Sequence, residues 1–183
     1  STAAVYGNSV TSPISESSNP IPVSVYGKTK LEAEALISEY VNKGVVKAIS
    51  LRFFNAVGAI EPELGDSSRD NLFPKVFSSI ERNLPPEIFG DDYPTPDGTC
   101  IRDYIHVCDL ADAHVKALQA MDAKTSASAS APIARAYNLG NGRGFSVREV
   151  IAAAERVTAT RVPVRFGTRR PGDPAALGLT PPK

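Results

Sequence analysis

The chain has little that would commit it to a membrane, to nucleic acid or to a disulfide framework. No apolar run approaches the ~20 residues that a membrane-spanning helix needs, and the opening does not read as a secretory leader. Charge of one sign is not in excess: 20 basic and 20 acidic residues leave a formal net charge of zero, so there is no basic footprint for nucleic acid and no polybasic arm for a lipid surface. Cysteine is scarce. Cys100 and Cys108 are the only two, whereas secreted disulfide scaffolds carry more in shorter chains, so a reducing, cytoplasmic setting is expected. What is present is ordinary for a globular protein: 42% hydrophobic and 22% charged residues over 183 positions, enough for one good core or one and a half small domains. Fifteen prolines and 13 glycines point to many loops, which suits a ligand-binding domain.

The most informative stretch is Val25-Tyr26-Gly27-Lys28-Thr29-Lys30-Leu31-Glu32-Ala33-Glu34. Pro20 and Pro22 keep the approach extended, Ser24 suits an N-cap, and strong helix formers follow, which predicts a helix from about Tyr26 to Asn42 ending at Lys43-Gly44. Leu31, Ala35, Leu36 and Tyr40 are expected to be its buried face. Tyr26 and Lys30 are four apart and so share a helical face. A phenol has a reference pKa of about 10, and bringing one to about 7 takes roughly 4 kcal/mol of phenolate stabilisation, part of which a neighbouring ammonium supplies. The same spacing also suits a plain surface helix, so the neighbours decide. Upstream, Thr2-Ala3-Ala4-Val5-Tyr6-Gly7 reads as a buried strand end turning into a loop, and ligands of open parallel sheets bind beyond such ends.

Taken together, Thr2 to Gly7 and Tyr26-Gly27-Lys28-Thr29-Lys30 resemble the catalytic region of the extended short-chain dehydrogenase/reductase family, in its nucleotide-sugar branch. The resemblance implies that Thr2 orients a substrate hydroxyl, that Tyr26 is the acid/base, and that Lys30 binds the nicotinamide ribose of NAD. The fold it implies is α/β: the second half of a Rossmann-like, doubly wound parallel sheet within residues 1–58. A smaller α+β substrate domain would fill most of 59–183, with 105–121 packing back on the first. Val45 to Phe54 reads independently as a strand, and strand–helix–strand order argues for a parallel sheet. Segment 8–24 reads as a long functional loop between strand and helix.

After that strand, Asn55-Ala56-Val57-Gly58 reads as a turn. The resemblance adds that Arg52-Phe53-Phe54-Asn55 carries an aromatic near the nicotinamide (Phe53) and an Asn touching the substrate (Asn55). Asp70-Asn71-Leu72-Phe73-Pro74 opens a further helix with Asn71 as an N-cap, and is similar to the family's Asn-Leu pair that holds the nucleotide diphosphate. Residues 87–107 read as two strands about a hairpin-like Pro/Asp/Gly turn. That string closely resembles the UDP-binding segment of UDP-glucose 4-epimerases, which implies uracil stacking near Phe89, diphosphate binding by Arg102, and a lesser part for Tyr104.

His106, Cys108, Asp109, Asp112 and His114 repeat no known ligand spacing, and no metal is expected; from Asp109 they share a helix with Leu110, Ala113, Ala117 and Leu118 as its apolar face. Residues 122–134 read as a low-complexity Ser/Ala surface insertion without a catalytic role. Asn141-Gly142-Arg143-Gly144 lacks the phosphate-loop spacing and reads as an ordinary turn after a strand at 136–140. Ser146 and Glu149 predict a capping box. The resemblance then assigns phosphates to Arg170, ribose hydroxyls to Asp173, and a gate beside the sugar's 2-substituent to Leu177.

The activity implied is UDP-glucose 4-epimerase: interconversion of UDP-glucose and UDP-galactose through a 4-keto intermediate with bound NAD, by a homodimer when full length. Related UDP-sugar epimerases and a non-catalytic nucleotide-sugar sensor are the alternatives. Ala3 and Ala4 stand where 4,6-dehydratases carry an acidic pair, which favours epimerisation over dehydration. The family's glycine-rich dinucleotide fingerprint is missing and residues 178–183 leave the pattern. A fragment is therefore expected, with little NAD binding of its own.

Overall fold

The computed structural model describes residues 1–8, 13–68, 70–123 and 134–177. Most of the Ser/Ala stretch, residues 9–12 of the long loop and the divergent end at 178–183 lie outside them. Helix α1 (Val25–Asn42) begins as expected: Ser24 is extended and its hydroxyl accepts the Gly27 N–H at 3.0 Å. Beyond Lys43, Gly44 takes a left-handed φ of 71°, which glycine adopts without a Cβ penalty. Strand β1 (Ala48–Phe53) runs parallel to β5 (Ala134–Leu139), with Arg52 opposite Asn138.

Three expectations for these elements are corrected. Ala35, Leu36 and Tyr40 are exposed, and α1 instead buries Gly27, Glu34 and Val41, with Leu31 half-buried against the core. The chain after β1 does not turn at once; Asn55–Val57 forms β2, which leaves β5 and pairs in parallel with β4 (Ile101–His106). Residues 2–6 are not a strand end alone: Thr2 makes one parallel bridge to Phe53 and then caps a short 3₁₀ turn, Ala3–Tyr6. Small Ala side chains and the Thr2 hydroxyl, which accepts the Ala4 N–H at 3.2 Å, permit that tight turn inside the core.

The segment expected as a hairpin is likewise not one. β3 (Glu87–Phe89) pairs in parallel with β7 (Arg165–Gly167), while β4 carries β2 on one edge, antiparallel β6 (Gly144–Ser146), and parallel β8 (Ala176–Leu177). The Pro/Asp/Gly turn between β3 and β4 is real, but Asp97 ties it elsewhere, accepting from Thr99 N–H at 2.9 Å and from the Ser146 hydroxyl. Ser146 also opens α4 (Val147–Thr158) through the predicted capping box with Glu149. Helix α2 (Leu72–Glu81) packs on α4, and α3 (Val107–Ala123) packs on β1, β2 and β4.

Two apolar clusters result. Ala3, Val5, Tyr6, Ile14 and Phe54 fill one, joined by Leu31 and Leu177; Val76, Ile88, Ile151, Ala154 and Val162 fill the other. Each fully buried Val, Ile or Phe side chain contributes about 1.5–3 kcal/mol. The glycine-rich turn after β5 faces inward: the buried Asp103 carboxylate accepts N–H groups of Asn141 at 2.7 Å and Gly142 at 3.1 Å. A Cβ on Gly140 would sit 2.8 Å from that carboxyl, so this turn cradles the protein's own carboxylate. Among the described residues no helix is long and apolar enough to cross a membrane, and no cluster of His, Cys, Asp and Glu is arranged to hold a metal.

Candidate functional site

Phe54 is where the sheet divides. Its N–H still bonds to Leu139 O of β5 at 2.9 Å, and the next residue belongs to the β2–β4 pair. A crevice opens beyond the carboxyl end of β1 at such a switch in strand partners. Here it is a cleft of about 1390 Å³. Thr2, Tyr26, Phe53, Asn55, Asn71, Leu72, Phe89 and Tyr104 line it, with Arg102, Arg170 and Asp173 also in the lining. Eleven of the thirteen residues singled out from the sequence therefore meet in one cavity, although they run from Thr2 to Asp173 in the chain.

Lys30 and Leu177 are outside the lining. The Lys30 ammonium lies 5.7 Å from the centre of the Tyr26 ring, one turn along α1, within cation–π range. Leu177 sits opposite Arg102 in the β4–β8 pair and packs against the Tyr6–Phe54 cluster. Tyr26 itself is 52% exposed, at the first turn of its helix.

Gly27 is what lets that turn come close to the Ala3–Tyr6 turn. A Cβ there would be 2.6 Å from the Ala4 carbonyl oxygen and 3.0 Å from Pro22 Cβ. In an unhindered helix Gly→Ala gains about 0.5–1 kcal/mol. Here overpacking against backbone should outweigh it: Gly27→Ala is expected to destabilise by about 1–2 kcal/mol in urea unfolding. An unchanged or raised midpoint would show that the contact can relax freely.

Behind the cleft lies a network that sequence inspection missed. Glu34 follows Lys30 by one more turn of α1 and is only 8% exposed; Arg52 on β1 is 7% exposed. The guanidinium donates to both carboxylate oxygens, Nε to Oε1 at 2.9 Å and Nη2 to Oε2 at 2.5 Å, and Nη1 donates to the Tyr6 hydroxyl at 2.8 Å. The Tyr6 hydroxyl in turn donates to Asn138 Oδ1 at 2.8 Å on β5. Burial pushes the Glu34 carboxyl up, but hydrogen bonds from Arg52 and the Ser1 hydroxyl more than offset this and hold it below its ordinary value. The signal was available: an arginine inside an apolar strand needs a buried partner.

Elsewhere in the lining, Asn71 occupies the N-cap position of α2 without capping it; its amide donates to Asp66 Oδ2 at 2.7 Å. This corrects the expected side-chain cap. Phe89 has the Arg170 guanidinium 4.9 Å and the Lys75 ammonium 5.6 Å from its ring centre. Tyr104 meets Phe73 edge to face at 5.2 Å, and burial pushes its phenol up to about 12. Arg169 turns away from the cleft to Asp92 at 2.6 Å and over Tyr93, whereas Arg170 and Arg102 both engage Asp173, at 3.1 and 3.4 Å. A lining that holds both guanidinium groups and hydroxyls suits a ligand with an anionic part and a polyol part.

Residues 1–140 match the family model described as the NAD dependent epimerase/dehydratase family. A UDP-glucose 4-epimerase of Halalkalibacterium halodurans is 44% identical over 97% of this chain and 52% of its own length, and one of Bacillus subtilis is 41% identical over 100% and 54%. Among solved structures, a UDP-glucose-4-epimerase from Stenotrophomonas maltophila with bound NAD and formylated UDP-arabinopyranose superposes with a TM-score of 0.85, at 40% identity, covering 96% of this chain and 52% of that one. The Bifidobacterium longum enzyme in complex with NAD+ and UDP gives 0.82 at 38% identity, over 96% and 52%. The chain thus spans about half the length of the curated relatives it matches. Its α/β fold with parallel strand pairs is theirs. The chain belongs to the NAD dependent epimerase/dehydratase family.

Proposed function

We propose that residues 1–183 carry the catalytic residues and the UDP-sugar site of an NAD-dependent UDP-glucose 4-epimerase. The observation that carries this reading is the single cleft shared by Thr2, Tyr26, Arg102 and Arg170. Tyr26 moves the proton at the sugar 4-hydroxyl, and its half-exposed position on the cleft wall gives it the access this requires. The Thr2 oxygen accepts the Ala4 N–H, which leaves its own proton free for donation to the same hydroxyl. Arg102 and Arg170 hold the diphosphate, with Asn71 and Leu72 beside it, Asn55 on the sugar side, Phe89 against the uracil and Asp173 on the ribose.

NAD fits the residues present. Tyr26 and Phe53 flank the cleft where a nicotinamide would meet the sugar, and Lys30 is held against the Tyr26 ring, in reach of a ribose. When bound, NAD supplies the acceptor and then the donor of hydride. This chain's residues orient the sugar, exchange the proton and keep the diphosphate fixed while the sugar turns. In domain terms we assign 1–58 to the dinucleotide-binding part and 59–183 mainly to the UDP-sugar part, with 105–121 returning to the first. The packing of α3 on β1 and β2 supports that return. A homodimer of the full-length enzyme belongs to the same proposal, supported by Leu36, Ile37, Val115 and Leu118, which α1 and α3 leave exposed. Free Cys100 and Cys108 accord with a reducing cytoplasm.

The test is conversion of UDP-galactose with NAD+, by this chain and by a chimaera completed with the part of the Bacillus subtilis relative that this chain does not match. Turnover by the chimaera and little by the chain alone is expected. A folded chimaera that binds UDP-galactose and converts none would point to a sensor of nucleotide sugars instead.

A further inference from the structure

We infer that Asp173 is an internal competitor for the anion site, a carboxylate that makes the cleft select against bare phosphate anions. The inference rests on the reading of Arg102 and Arg170 as diphosphate ligands and goes beyond it. The two Asp173 oxygens go to different arginines on different elements: Oδ2 accepts from Arg170 Nε at 3.1 Å, and Oδ1 from Arg102 Nη2 at 3.4 Å. Both placements are built into the backbone. Arg170 and Asp173 close one turn, with Asp173 N–H to Arg170 O at 3.3 Å and Gly172 at φ 82°. Two residues on, Ala175 O accepts the Ile101 N–H at 2.8 Å and β8 pairs with β4, which holds the carboxylate beside Arg102.

An anion that reaches these guanidinium groups therefore meets a carboxylate already engaged on them. It must displace Asp173 or bind next to its charge. The long Arg102 contact and the exposed Arg170 side chain make displacement feasible. A diphosphate bearing a sugar hands the displaced carboxylate hydroxyl donors, whereas inorganic pyrophosphate offers none. The carboxylate thus sorts ligands by whether hydroxyls accompany the phosphates.

The experiment is calorimetric titration of residues 1–183 with inorganic pyrophosphate and with UDP, for the unaltered chain, Asp173→Asn and Asp92→Asn. Asp92 pairs with Arg169 outside the cleft, so its variant removes the same charge without touching the site. Asp173→Asn is expected to tighten pyrophosphate about five-fold or more, to leave UDP no tighter, and to exceed any gain from Asp92→Asn. Pyrophosphate no tighter in Asp173→Asn, an equal gain from Asp92→Asn, or UDP tightening in step with pyrophosphate would each overturn the inference. If UDP fails to bind while pyrophosphate gains as expected, the uridine reading falls and this one stands. If no variant binds either anion, both fall.

Discussion

Arg52→Met is expected to destabilise the chain by about 3–5 kcal/mol, because it leaves the buried Glu34 carboxylate without its counter-ion. The pair joins α1, which carries Tyr26 and Lys30, to β1, which carries Phe53, and through Tyr6 and Asn138 to β5. Urea unfolding monitored by circular dichroism measures the cost. The double variant Glu34→Leu/Arg52→Met should recover most of it, since removing both charges abolishes the desolvation penalty that removing one exposes. A loss under about 1 kcal/mol for Arg52→Met would mean that water or another cation reaches Glu34. The same pair sets an acid limit. With its folded-state value held below the ordinary 4.5, Glu34 contributes stability that is complete above that pH and is lost as pH falls through the lower folded value. Glu34→Gln should flatten stability across that window while the unaltered chain loses it.

Tyr26→Phe in the completed enzyme is expected to lower kcat by about 10²–10⁴-fold, the usual contribution of a positioned acid/base. Binding of UDP-galactose should hardly change. The phenol is half-exposed in the lining of the cleft, no hydrogen bond of its hydroxyl stabilises the fold among the described contacts, and the ring that stays behind keeps the Lys30 cation–π contact. The split between kcat and binding is what separates chemistry from structure here. Equal activity in Tyr26→Phe would remove Tyr26 from the reaction; loss of binding together with activity would assign it to ligand capture.

Much of the site was legible because its signals are local or resemble a known pattern. Ser24 before a run of helix formers, and Ser146 three residues ahead of Glu149, are caps whose partners lie within one turn, and both form as read. Thr2, Tyr26, Arg102 and Arg170 fit a family pattern, and their convergence on one cleft follows from the fold that pattern carries. Asn71 departs from its expected cap for the opposite reason: N-cap propensity is local, but the Asn71 amide donates to Asp66 Oδ2 five residues back and its side chain accepts no helix N–H.

By itself, the sequence determined the α/β character, the helix that carries Tyr26 and Lys30 with its caps, and the residue types that meet in the cleft. Each of these depends on spacing within a turn of helix or on a strand's own composition. Tertiary structure alone decided that β3 joins β7 and not β4, that β2 leaves β5 for β4, and that α1 turns Glu34 inward and Leu36 outward. Strand partners are chosen by contacts across long sequence separations, and a helix face is chosen by what it packs against. Arg52, 18 residues beyond Glu34, outweighs the apolar pattern that would have turned α1 the other way, because a buried guanidinium without a carboxylate costs more than an exposed leucine.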